Sequence, residues 1–181
     1  MSKLEEYKIK EEPKDILEFV SAVITNKQGN VLILKRKKDL KLDPGKYDLC
    51  SGHMKQGEVN PIFTMLRELE EEINLKLEQI NSIEEIGTIP TPMKQFSDTK
   101  CHMYHVMINI SEEQLNQMVK EVEKPEVEEV IFLEDFEVLK DLQKNSNICR
   151  TGYNEDFEEI YKKIELKIKQ NNTKEEKCEE R

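Results

Sequence analysis

The sequence predicts an α/β layered domain, in which strands and helices alternate and pack as layers. Three observations carry this. Residues 16–25 and 31–36 are rich in β-branched residues and are joined by a turn. Residues 61–73 have the start and stop signals of a helix. Beyond them, strand-like and helix-like stretches alternate to residue 169.

The first run, ILEFVSAVIT, is read as a strand and VLILKR as its return. Between them Lys27-Gln28-Gly29-Asn30 supplies turn chemistry, with Gly29 able to take positive φ, so the pair is expected as a hairpin. A basic stretch follows, with Lys35, Arg36, Lys37, Lys38 and Lys41. Asp43-Pro44-Gly45 breaks the chain, and Tyr47 to Cys50 forms a short strand leading into Gly52. For the helix over 61–73, Asn60 is the N-cap, Pro61 the first helical residue and Asn74 a left-handed stop. Residues 84–89 and 101–110 are read as strands, 112–123 as a short acidic helix, 128–133 as a strand and 135–144 as a helix. A last amphipathic helix covers 154–169, with Phe157, Ile160, Tyr161, Ile164 and Ile168 at helical spacing. The expected organisation is one domain over residues 1–150 with its core at about 16–145, a C-terminal helix over 151–170 packed on it, and a polar tail over 171–181. The charged first 14 residues either dock as a strand or stay apart from the core.

A chain of 181 residues can bury one core without disulfides or structural metal. Hydrophobic and charged residues each make up 36%, so the core is modest and the surface helices are highly charged. The net charge of −10 repels nucleic-acid backbones and anionic membranes, and neither is an expected partner. An anionic substrate would need a local device, such as a bound divalent cation. Cys50, Cys101, Cys149 and Cys178 form no CxxC pair and are read as free thiols of a reducing cytosol. The charged N-terminus lacks a signal-peptide apolar segment, and no run approaches the ~18–20 apolar residues of a membrane span. A soluble, cytoplasmic protein is expected.

The chemistry lies in GHMKQGEVNPIFTMLRELEEEINL, residues 52–75. On a helical wheel at ~100° per residue, Ile62, Leu66, Leu69 and Ile73 share one face. Glu68, Glu71 and Glu72 fall together on the opposite side, and Glu70 points elsewhere. Clustered carboxylates repel unless a cation neutralises them, and Mg²⁺ or Mn²⁺ prefers oxygen ligands of this kind. A solvated acidic face would explain a Glu-rich helix equally well. The segment before the helix shifts the balance. Gly52 and Gly57 flank a short loop followed by Glu58, and glycine lets backbone groups approach a ligand closely. Arg67 either holds Glu58 or a neighbouring carboxylate in position, or makes an ordinary surface ion pair.

These residues resemble the signature of the Nudix hydrolase family. That signature is Gly, five residues, Glu, seven residues, then Arg-Glu-U-x-Glu-Glu-x-Gly-U, with U bulky and aliphatic. Gly52, Glu58, Arg67, Glu68, Leu69, Glu71, Glu72 and Leu75 match. Two positions depart from it. Asn74 replaces the last Gly, and Asn also tolerates left-handed geometry. Eight residues separate Glu58 from Arg67, so the extra one must be absorbed around Val59-Asn60-Pro61. The likeness extends to PGKYDLCSGH and to PEVEEVIFLEDFEVL at 125–139, and covers roughly residues 16–145.

The resemblance implies an α/β/α sandwich with a mixed sheet. It implies a pyrophosphohydrolase acting on a small nucleoside-diphosphate-type or related molecule. Mg²⁺ or Mn²⁺ would be held by Glu68, Glu71 and Glu72 with the carbonyl of Gly52. Arg67 joins these glutamates in the catalytic set, one of which, Glu68 by preference, serves as general base. Glu58 supports them. Arg36, with Lys38, and His53 are the candidates for substrate contact. Two rival readings stay open. Isopentenyl-diphosphate isomerases share the fold, but they resemble a Cys directly before Gly-His. Here Ser51 stands there, Cys50 comes one position early and faces the other way by strand alternation, and there is no Trp. A non-catalytic nucleotide-binding module is the other rival, opposed by the retained glutamates. Specificity is assigned to residues 89–100, with Tyr47, Phe96, Tyr104 and Phe132 as base-stacking or core residues. His102 and His105 are read as structural or surface residues. Glu128 and Glu129 are read as exposed strand acids that could alternatively lend a carboxylate to the site. A homodimer is left open.

Overall fold

The computed structural model describes residues 18–55, 57–90 and 99–179, with side chains described as far as residue 174. The docking of the first 14 residues, the strand start at Ile16 and Leu17, Phe96, and the side chain of Cys178 lie outside the described residues.

β1 (Phe19–Thr25) and β2 (Val31–Arg36) form the expected hairpin, with Thr25 opposite Val31. Gly29 takes φ +89° in its turn, where Asn26 and Asn30 bond through their side chains. The stretch read as one strand at 47–50 is two: β3 (Tyr47–Asp48) and β4 (Cys50–His53). They separate because each has its own partner, β3 on β2 and β4 on β1. Such pairing is tertiary and leaves no local signal. β5 (Ile80–Pro90), β6 (Lys100–Ile108) and β7 (Val127–Leu133) complete a sheet that has seven strands among the described residues. Its order is β3-β2-β1-β6-β5, with β4 also on β1 and β7 on β2. β1 and β6 run parallel while the other pairs are antiparallel, so the sheet is mixed. β5 begins four residues before the expected 84, at Ile80, because polar Ser82 still pairs with β6 and, across an irregularity at Asn81, so does Ile80; partners override propensity here.

Among the described residues, four α-helices cover the sheet: α1 (Pro61–Ile73), α2 (Glu112–Lys120), α3 (Phe136–Gln143) and α4 (Glu155–Glu179). Strand alternation sends Val20, Ala22 and Ile24 to one face, where Met65, Leu69 and Ile73 of α1 and Leu115 and Val119 of α2 bury them. Val23, Val31 and Ile33 on the other face meet Phe136 and Leu139 of α3 and Phe157, Ile160, Tyr161 and Ile164 of α4. The molecule is therefore a three-layer α/β/α sandwich. α4 continues past the last apolar position, Ile168, to Glu179, through residues whose composition predicts a polar tail. The outer edge of β7 is closed by α2: Asn116 bonds both backbone groups of Val130, and Glu112 accepts the Phe132 N–H.

Candidate active site

α1 is set by its own ends. The Asn60 side chain accepts the Ile62 N–H, Pro61 opens the first turn, and Asn74 at φ 57° closes the last. Its N–H donates to the Glu70 carbonyl, and the Leu75 N–H to that of Leu69. The buried face differs from the expected stripe. Met65 lies at its centre, fully buried, whereas Leu66 is only half-buried. Glu68 and Glu72 consequently flank the buried face, against β4, rather than lying opposite it. Glu68 is 9% exposed, while Glu71 faces solvent.

Gly52 explains how a carboxylate fits there. A Cβ built on Gly52 would fall inside the Glu68 carboxylate group. With no Cβ on Gly52, the Glu68 carboxylate can lie directly against the β4 backbone.

Arg67 is the hub of the site. Its Nε donates to Glu58 Oε1 at 2.9 Å, and its Nη1 to Glu68 at 2.6 Å and to Glu71 at 3.0 Å. Its Nη2 donates to the His53 carbonyl at 3.1 Å. Glu58 also accepts from the Thr64 hydroxyl at 2.7 Å and the Lys55 N–H at 2.8 Å. The Arg67 guanidinium and these two donors hold the Glu58 carboxyl down at about 2. Glu72 is turned the other way. It accepts the Ser51 N–H at 3.2 Å and meets the Cys50 thiol. Burial raises its carboxyl to about 8, and burial also raises that of Glu68. The three glutamates share one side of the helix, but among the described residues no three His, Cys, Asp or Glu side chains converge as a ligand set. Arg67 draws Glu68 and Glu71 towards one end, and Ser51 draws Glu72 towards the other.

The family model of the NUDIX domain matches residues 18–149 of this chain. The chain belongs to the Nudix family. No curated protein matches it by sequence. Solved structures share its fold at low identity. An Ap4A hydrolase of C. elegans, solved as a binary complex, is 16% identical, with a TM-score of 0.55 over 82% of this chain and 96% of that one. The NUDIX domain of Shewanella oneidensis NrtR, in complex with ADP ribose, is 19% identical, with a TM-score of 0.52 over 77% and 87%. The DR0079 protein of Deinococcus radiodurans is 18% identical, with a TM-score of 0.54 over 74% and 77%.

In this Nudix-type pyrophosphohydrolase a cleft of about 870 Å³ runs along α1. It is lined by Gly52, His53, Arg67, Glu68, Glu71 and Glu72, and also by Arg36. His53 is exposed. Arg36 is buried, ion-paired to Glu126 and bonded to the Leu42 carbonyl. The cleft thus brings together six of the residues assigned from sequence to metal, catalysis and substrate, and Arg36 is a seventh. Glu58 lies behind Arg67. Lys38 is absent from the lining, and Glu129 pairs with Lys35 instead. Contributors that the sequence did not single out include Lys55, at 3.3 Å from Glu71, the Glu121–Glu126 segment, and Arg150 from beyond α3, while the buried Cys50 thiol faces Glu72. Cys50 sits in the core under α1. His102 is held between Glu18 and Glu85, and His105 is buried against Thr25. Among the described residues, no helix is long and apolar enough to cross a membrane.

Proposed function

We propose that the chain is a Mg²⁺- or Mn²⁺-dependent hydrolase that cleaves a diphosphate linkage in a nucleoside-diphosphate-type or related small molecule. The observation that carries this reading is the approach of Gly52 to Glu68, which requires the missing Cβ and lodges a carboxylate in the wall of the cleft. The donors there are hard oxygens, from Glu68, Glu71, Glu72 and the Gly52 carbonyl, and their chemistry fits Mg²⁺ or Mn²⁺. Two of those carboxyls are buried enough to be raised, which a divalent cation would offset. When bound, such an ion supplies charge neutralisation on non-bridging phosphate oxygens and activation of water.

The chain's own residues do the rest. Glu58 fixes the Arg67 guanidinium, which in turn orients Glu68 and Glu71. Arg36 receives phosphate charge and His53 contacts the substrate at the mouth. One carboxylate, Glu68 by our assignment, takes the proton of the attacking water.

A phosphate-release screen tests this. It covers sugar nucleotides, nucleoside and deoxynucleoside triphosphates and prenyl diphosphates, with Mg²⁺ or Mn²⁺. ADP ribose and Ap4A are included because the structural neighbours named above are described with them. Glu71→Gln and Glu72→Gln should each abolish the activity found. Full metal-dependent activity in both variants overturns the site assignment.

A further inference from the structure

Besides the signature residues the cleft is lined by carboxylates, Glu121, Glu123 and Glu126, and by two guanidiniums that the signature does not explain. Arg36 reaches it from the end of β2 and is 7% exposed. Its Nη2 lies 3.3 Å from both the Leu42 carbonyl and Glu126. Its Nε is buried without a hydrogen-bond partner among the described residues. A buried guanidinium N–H left in this state carries a desolvation penalty that a ligand oxygen would remove.

Arg150 reaches the same region from the segment after α3. Its backbone is clipped to β3, with the Arg150 N–H donating to the Tyr47 carbonyl and the Tyr47 N–H to that of Ile148. Its guanidinium is held by Asp48 at 3.2 Å and Asp43 at 3.3 Å. Asp48 is itself buried and fixed by the Leu49 N–H and the Thr151 hydroxyl. Two guanidiniums therefore converge on one cleft in a chain of net charge −10. The carboxylate facing Arg36 comes from Glu126, whose side chain is 59% exposed.

We propose that Arg36 and Arg150 form an anion subsite for a phosphoryl group of the substrate, in which the Glu126 carboxylate holds the anion's place until the substrate arrives. This deepens the function proposed above and rests on the cleft taking a phosphorylated molecule. Planar guanidinium forks match phosphate oxygens in pairs, whereas an ammonium acts as a point charge. Arg150 anchors substrate, and Asp43 and Asp48 are its positioning residues.

Calorimetric titration of the full chain with inorganic pyrophosphate, without divalent metal, tests the subsite. Wild type should bind. Arg150→Ala should weaken binding by about tenfold, and Arg150→Lys should recover only part of that. Glu126→Gln should tighten binding severalfold through the released Arg36, an effect that a merely structural Arg36 would not produce. Three outcomes overturn the proposal: no binding by wild type, a loss below about threefold in both Arg150 variants, or Glu126→Gln affinity at or below wild type. Glu71→Gln separates the two readings. It should lose turnover yet keep metal-free pyrophosphate binding. If wild type turns over no substrate but the binding pattern holds, the hydrolase reading fails and the subsite stands.

Discussion

Glu58 and Arg67 meet at 2.9 Å although eight residues separate them, one more than the family spacing. The extra residue is taken up before the helix. Gly57 turns the chain at φ +91°, and Val59 stands 92% exposed just ahead of the Asn60 cap. From Arg67 onward the helix register is undisturbed.

The first prediction follows from that contact. Glu58→Gln loses the charge that holds Arg67, and metal-dependent turnover should fall by about 10–100-fold. Val59→Ser should leave turnover within about twofold, because the side chain is spent on solvent. Steady-state rates on one substrate decide it, and comparable losses in both variants would contradict it.

Gly52→Ala should be worse than its size suggests. The added methyl occupies the place of the Glu68 carboxylate, which must swing away from the wall of the cleft. Because the atoms displaced are the end of a flexible side chain, the cost stays at the low end of overpacking, about 1 kcal/mol. Melting curves should show that loss, together with loss of any Mg²⁺-induced rise in Tm. A variant with wild-type Tm and an unchanged Mg²⁺ shift would refute the close-approach argument.

Glu72 ties function to a stability cost. Its carboxylate is lodged beside Ser51 and the Cys50 thiol, where burial penalises charge. Glu72→Gln should therefore raise the metal-free Tm, by roughly 2–4 °C, while abolishing the rise that Mg²⁺ produces in wild type. Thermal melts with EDTA and with Mg²⁺ measure both effects. A lower metal-free Tm combined with an intact Mg²⁺ shift would place the ion elsewhere.

Local signals made much of the site readable in advance. Asn60, Pro61 and Asn74 fix α1 through contacts within a few residues, and its ends were legible for that reason. The Glu58–Arg67 pairing was one of several readings of Arg67, left open by the extra residue before the helix. The side of α1 that carries Glu68 and Glu72 was misplaced, because the wheel weighted Leu66 over Met65 and could not know where β4 would run. The division of Tyr47–His53 into two strands depends on which neighbour each half pairs with. Arg150 was invisible for the same reason: Asp48 and the Tyr47 backbone bring it to the cleft, and neither is near it in sequence.

His105 gives a pH test away from the site. Its ring lies 2.8 Å from the Thr25 hydroxyl and is 7% exposed. Burial and the nearby Lys167 push it down to about 4, against 6.5 for the free side chain. Between those values the unfolded chain binds a proton that the folded chain refuses. This share of stability is fully present above pH 6.5 and is lost as pH falls towards 4. It amounts to roughly 3 kcal/mol. Carboxylates titrate in the same window, so the slope is read as a difference between wild type and His105→Asn. Urea unfolding from pH 4 to 7.5 should give a steeper acid loss for wild type. Parallel slopes would mean that the folded protein protonates His105 as easily as the unfolded one.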